Sequence, residues 1–196
     1  MRKFVYAFSI LVVFLSCNNS SDNKDAVSKA DSANDARADS NAHSNGNALL
    51  ATDEASAGFL VDALDGSSME VVLGTISQQK AASQRVKDFG AMMVTDHGEA
   101  SREIRDLAAA RTVALPQTNS DEKRKMIEQI SAKGGEDFDK AYIDMMVDDH
   151  KTDISEFESA LKKVADTSVK AFIRKSIPVL QKHLDSCTDI KKSLRK

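Results

Sequence analysis

Proline and glycine are scarce, two and eight in 196 residues. Long stretches are therefore free of chain breakers. No run alternates apolar and polar residues as a half-buried strand does, and apolar positions recur instead at spacings of three and four, the period of a helix. Sheet architectures are excluded on that ground. The chain has only two cysteines, Cys17 and Cys187, and no paired-cysteine motif. It also lacks a glycine-rich phosphate loop and a nucleophile elbow, so nucleophilic catalysis has no visible apparatus. There is no basic stripe, and the net charge is −3, which argues against nucleic acid as a partner.

The amino terminus carries a different signal. Arg2 and Lys3 precede a nearly unbroken apolar run over residues 4–15, then Ser16 and Cys17. The run is too short for a spanning helix of about 20 apolar residues and has the form of a signal peptide. Leu15-Ser16-Cys17 resembles a lipobox, with Phe14 where leucine is usual. That resemblance implies a signal peptide over residues 1–16, cleavage before Cys17, and acylation of Cys17 as a membrane anchor. Asn18 next to the cysteine resembles outer-membrane sorting. The alternative is an ordinary secretory signal with an incidental cysteine. Cleavage removes two positive charges and no negative one, taking the net charge from −3 to −5.

Residues 17–51 are expected to be a disordered tether rich in Ser, Asp, Asn and Ala. Almost no large apolar residue occurs there before Leu49 and Leu50, so little surface could be buried to offset the entropy of ordering. A flexible chain of this length spans about 30 Å on average. His43 falls within it and reads as a solvated loop residue.

Residues 52–196 form the expected globular domain, enough for one core. Its centre is a hexapeptide that occurs twice, Met92-Met93-Val94-Thr95-Asp96-His97 and Met145-Met146-Val147-Asp148-Asp149-His150, offset by 53 residues. A duplicated helix points to a bundle. Apolar periodicity predicts long helices over residues 53–82, 83–111, 136–165 and 168–194. A short connecting helix ends near residue 130, capped by Asn119 or Ser120 with Glu122 as a capping-box partner. Thr167 or Ser168 is the expected cap of the last helix. Pro178 lies inside that helix and should kink it. The charged run Asp121-Glu122-Lys123-Arg124-Lys125 reads as a solvated helix face. Short links between the first and last pairs predict two antiparallel hairpins. The expected fold is all-α, an antiparallel four-helix bundle with a short extra helix.

The string Val86, Phe89, Met93, Asp96-His97, Leu107-Ala108, Leu115-Pro116, Phe138-Asp139, Tyr142, Met146-Val147, Asp149-His150, Phe157, Pro178, Leu180 and His183-Leu184 resembles the bacterial domain of unknown function 4142 family. Glu70 and Gly74 match its first helix. The resemblance spans nearly the whole domain. It implies a ferritin-like fold and an outer-membrane location, but no activity.

Glu70, His97, His150 and His183 each fall within about two residues of the middle of a predicted helix, roughly 3 Å along its axis. Antiparallel helices of similar length cross at mid-height, so the four side chains are expected to meet inside the bundle. A buried polar atom without a partner costs about 1–3 kcal/mol, so partners are required. In one reading the four groups bond to one another, to Asp96, Asp149 or Asp153, and to water. In the other they hold one transition-metal ion, for which three imidazoles and a carboxylate suit zinc, iron or manganese, with Asp96 and Asp149 orienting the ligands. The residues three before the histidines are Val94, Val147 and Leu180, so the Glu-x-x-His pattern of di-iron bundles is missing. Cys187 stands one turn from His183, and with the paired methionines it raises copper as a further candidate. Core filling accounts for these sulfur residues more simply. The function expected is an envelope-anchored lipoprotein that binds one metal at mid-bundle. The alternative is a structural or interaction protein with a metal-free histidine network. No acid–base pair with a substrate pocket can be named, and no protein partner is indicated.

Overall fold

The structure, a computed structural model, describes residues 25–43 and 53–195. The expected signal peptide and the acylation site Cys17 lie outside the described residues. The described residues contain six helices: α1 Ala26–His43, α2 Glu54–Lys80, α3 Gln84–Ala109, α4 Asp121–Ser131, α5 Gly135–Lys163 and α6 Thr167–Leu194. None is long and apolar enough to cross a membrane.

The four long helices, α2, α3, α5 and α6, make the bundle. α2 packs mainly on α3, and α5 on α6, while α2 also meets α5 and α3 meets α6. The core is divided into two apolar halves. One takes Leu73, Phe89, Tyr142 and Cys187; the other takes Leu60, Ile104, Val164 and Phe172. In α3 and α5 the first half comes before the second along the chain, and in α2 and α6 the order is reversed. Every neighbouring pair is therefore antiparallel, whereas α3 and α5 run the same way. The connection between those two must cross the length of the bundle. It carries α4, which lies against α2 and α5. A single long crossover is the connectivity of ferritin-like bundles.

Carboxylates secure the helix ends. Asp53 caps α2, accepting from Ser56 N at 3.0 Å. Ser83 at the start of α3 makes no side-chain cap bond. Asp139 of α5 substitutes, accepting from Ala82 N at 3.1 Å and Ser83 N at 2.8 Å. Asp65 of α2 accepts from the Asn119 amide and from Ser120 N, both at 2.9 Å. Ser120 is the α4 cap. This puts Lys123, not Glu122, at the third helical position, so the expected capping box does not form. The cap of α6 also differs from expectation. It is Asp166, which accepts from Ser168 N at 2.8 Å and Val169 N at 3.0 Å. Asp166 also receives both Arg111 Nε at 2.8 Å and Arg111 Nη2 at 2.7 Å. A carboxylate that both caps a helix and pairs with a guanidinium outcompetes a neutral hydroxyl there. α6 continues through Pro178.

Within residues 17–51, the described residues 26–43 are α1. α1 has no glycine or proline and is rich in alanine, the best helix former. Its low apolar content is offset by polar docking. Ala30 is buried. The Asn34 amide donates to the Ala114 carbonyl at 3.0 Å and accepts from Ala114 N at 2.7 Å. Asp25 accepts from Asp121 N at 2.8 Å.

α2 and α3 touch backbone to backbone. A Cβ on Gly74 would stand 2.6 Å from the Gly90 carbonyl oxygen, and one on Gly90 would stand 2.7 Å from the Gly74 carbonyl oxygen and overlap Ser77 Oγ. Glycine is required at both positions by this approach. Gly90→Ala is expected to destabilise the domain by about 1–3 kcal/mol through overpacking. Gly98→Ala on the same helix meets nothing within 4 Å and should stabilise by about 0.5–1 kcal/mol. Urea unfolding midpoints of the two variants check both signs.

Candidate metal centre

Each bundle helix contributes one polar side chain at its middle: Glu70 from α2, His97 from α3, His150 from α5 and His183 from α6. All four are buried, and His150 and His183 are fully so. They lie between the two apolar halves of the core. The imidazole centroids are 5.1 Å apart for His97–His183, 5.3 Å for His150–His183 and 5.7 Å for His97–His150. One ring nitrogen of each histidine lies within 4.8 Å of those of the other two.

The outer nitrogen of every ring faces an acceptor. Glu70 Oε2 is 2.6 Å from His97 Nδ1, and Asp96 Oδ2 is 2.8 Å from His183 Nε2. The Met146 carbonyl, one turn back on α5, is 3.0 Å from His150 Nδ1. The inner nitrogens face one another: His97 Nε2 is 3.3 Å from His183 Nδ1.

Hydrogen positions follow from these contacts. A carbonyl oxygen can only accept, so His150 Nδ1 carries the hydrogen and Nε2 is a bare lone pair. Asp96 accepts from His183 Nε2, which leaves His183 Nδ1 to accept from His97 Nε2. His97 Nδ1 is then an acceptor, and the Glu70 carboxyl must donate to it. Burial pushes the Glu70 carboxyl up to about 8, in keeping with that proton. Burial also pulls His97 and His183 down to about 4 and lowers His150, so the rings are neutral at neutral pH. Three hydrogen bonds thus run in one direction from Glu70 to the part-exposed Asp96. His150 is left out. Its Nε2 is 3.5 Å from Glu70 Oε1, and neither atom has a hydrogen-bond partner. Two buried acceptors face each other across that distance.

That pair tests whether a metal fits. Each outer nitrogen already has an acceptor of the kind that orients a ligating imidazole. With hydrogens on the outer nitrogens, all three inner nitrogens are lone pairs converging on one place. A cation there would satisfy His150 Nε2, which no protein group does. The three histidines can hold a metal ion.

The sequence profile described as domain of unknown function (DUF4142) matches residues 39–190. The chain belongs to the DUF4142 family. The match takes in all four bundle helices of this DUF4142 domain, and with them every residue of the centre. No curated protein and no solved structure matches the chain.

The other predicted residues of the domain are placed as follows. Asp96 bonds His183. Asp149 bonds no histidine; its Oδ1 lies 3.3 Å from Lys123 Nζ. Its expected role as a histidine orienter therefore falls to a backbone group, the Met146 carbonyl. Cys187 is buried and free, and burial pushes its thiol up to about 11. It donates to the Leu184 carbonyl at 3.3 Å and packs in an apolar half of the core. The Lys123 ammonium was not foreseen here. The charged run 121–125 reads as a solvated face, yet Lys123 turns inward from α4. Its only sequence signal is the four-residue spacing between it and Ile127, which also leans on the core.

A cleft of about 1310 Å³ leads to Glu70, His97 and His183. Twelve acidic residues and four lysines line it, an imbalance that concentrates cations.

A group whose acid form is retained longer on folding stabilises most at low pH. Burial raises Glu70 to about 8 and Asp153 to about 9, so their contribution is complete below their ordinary range and is lost as pH rises through those values. Between about pH 7.5 and 9 the histidines, lowered on folding from an ordinary value near 6.5, are neutral in both states and do not respond. The melting temperature of the metal-free domain is therefore expected to fall over that window, by about 2–4 °C for each kcal/mol lost. Glu70→Gln, whose amide can still donate to His97 Nδ1, should flatten the fall. Calorimetry across the window in the presence of chelator measures it.

Proposed function

We propose that this domain is the globular part of an envelope lipoprotein, anchored at the outer membrane through acylated Cys17, and that it holds one transition-metal ion at mid-bundle. His97, His150 and His183 are the ligands through their inner nitrogens. Glu70 holds the outer nitrogen of His97 and keeps Oε1 free for the fourth position. Asp96 and the Met146 carbonyl fix the other two rings. The observation that carries this reading is the fully buried, unpartnered Nε2 of His150, whose other nitrogen is committed to a carbonyl. An imidazole-dominated set suits zinc, iron or manganese; the buried, protonated thiol of Cys187 gives copper no thiolate.

The chain's own residues do three things for a bound ion. They exclude water on the side of the apolar halves, they present pre-oriented nitrogens, and Glu70 passes its proton to His97 Nδ1 while the proton on His97 Nε2 is released to solvent through the cleft. The ion supplies the positive charge that the polar layer lacks. Among the described residues none is placed to act on a substrate, and uptake and release through the acidic cleft is the activity proposed. The metal-free network is the second reading, favoured by the unbroken Glu70–His97–His183–Asp96 chain of bonds.

Elemental analysis of protein purified without a histidine tag is expected to give one metal per chain. At free zinc about a thousandfold above Kd, stabilisation is about 4 kcal/mol, a rise of roughly 8–16 °C in melting temperature. His150→Ala should abolish that rise. Equal melting with zinc and with chelator, at no bound metal, selects the metal-free network. For the anchor, radiolabelled palmitate should be incorporated into the full chain in bacterial cells and not into Cys17→Ser.

A further inference from the structure

A second group of side chains lies beside the histidines. One carboxylate oxygen from each of Glu70, Asp149 and Asp153 lies within 4.8 Å of the other two. Asp149 and Asp153 are four apart on α5 and share a face, and Glu70 meets them from α2. Three acidic groups together do not make a site, since water and exposed lysines usually neutralise them. Here two of their oxygens are buried and bond no protein group. The Glu70 side chain is 1% exposed, and its Oε1 has no hydrogen-bond partner. The Asp149 side chain is 9% exposed, and its Oδ2 likewise has none. A third unpartnered atom, from outside the acidic group, adjoins its Glu70 member: His150 Nε2, fully buried, stands 3.5 Å from Glu70 Oε1.

Among the described residues, Lys123 is the one ammonium bonded to the group. Its Nζ reaches Asp149 Oδ1 at 3.3 Å, not the unpartnered Oδ2. That single contact leaves Glu70 Oε1 and Asp149 Oδ2 without a partner. We infer that Glu70, Asp149 and Asp153 form a second cation site, distinct from the three imidazoles, that takes a hard divalent ion such as manganese, magnesium or calcium. The donor set is all oxygen, which such ions prefer. They also keep several water ligands, and the acidic cleft that reaches Glu70, Asp149 and Asp153 provides room for these. Glu70 is shared between the sites: Oε2 holds His97, and Oε1 stands 3.5 Å from His150 Nε2. The inference does not rest on a metal at the histidines.

Manganese is the probe, because its paramagnetic signal counts bound and free ion directly. Zinc-saturated wild-type domain, titrated with Mn²⁺ and followed by electron paramagnetic resonance, is expected to bind one equivalent that excess Ca²⁺ or Mg²⁺ displaces. Asp153→Asn changes a residue at the rim of the group and should weaken this binding at least tenfold while leaving zinc content unchanged. His183→Ala should lose zinc and keep the Mn²⁺ equivalent. Binding to exposed carboxylates only, shown by a weak Mn²⁺ signal that Asp153→Asn does not alter, would overturn the inference. A wild-type melting temperature unmoved by millimolar Mn²⁺ in saturating zinc would do the same, and that measurement needs no variant to fold. Absence of zinc at the histidines would remove the metal reading of that centre and leave the Mn²⁺ result standing or falling by itself.

Discussion

A polar layer buried at mid-height of an apolar bundle is the constraint to which the rest of this structure answers. Each of its four side chains must find a partner in a region without bulk water, where an unpaired polar atom costs about 1–3 kcal/mol. Partners exist only at one level, so the layer sets the axial register of all four helices. A slide of one helix by a single turn, about 5.4 Å, would carry its polar group into an apolar half and break two contacts at once. Leu60 and Phe172 on one side and Phe138 and Tyr142 on the other, all buried, close the layer off from both ends.

The backbone prepares this level from below. Gly74 and Gly90 let α2 and α3 approach until their carbonyls limit the contact. Glu70 lies one turn before Gly74 and His97 two turns after Gly90, so the close crossing brings carboxylate and imidazole to 2.6 Å. Side chains of ordinary size at the glycines would separate the helices and open that bond. Asp65 and Asp139 act in the same spirit at the helix ends. They are buried carboxylates spent on backbone amides of a neighbouring segment, which tie the crossover and the α3 start to the bundle without adding apolar surface.

The layer is not fully satisfied from within the protein. Glu70, His97, His183 and Asp96 settle into one directional run of hydrogen bonds. His150 cannot join, because its carbonyl partner dictates which nitrogen bears the hydrogen. Two of the three inner nitrogens are lone pairs and all outer nitrogens are held, so a cation would need only the hydrogen on His97 Nε2 to leave, with little reorganisation of the rings. The acidic cleft alongside reaches the same layer at Glu70, His97 and His183.

Much of this was legible in the one-dimensional pattern. Sparse glycine and proline, spacing of three and four, and a hexapeptide repeated at 53 residues determine four long helices, and mid-helix placement of Glu70, His97, His150 and His183 follows from counting. Local chemistry encodes those features, and local chemistry is what a sequence displays. Only the tertiary structure decided how the helices join. It assigned the orienting role to the Met146 carbonyl instead of Asp149, turned Lys123 inward, capped α6 with Asp166, and docked α1 through Asn34 although its composition reads as disordered. Each of these depends on which groups from distant segments meet at hydrogen-bond distance. Periodicity along a chain carries helix faces, whereas the choice among several nearby polar partners is made by geometry between helices.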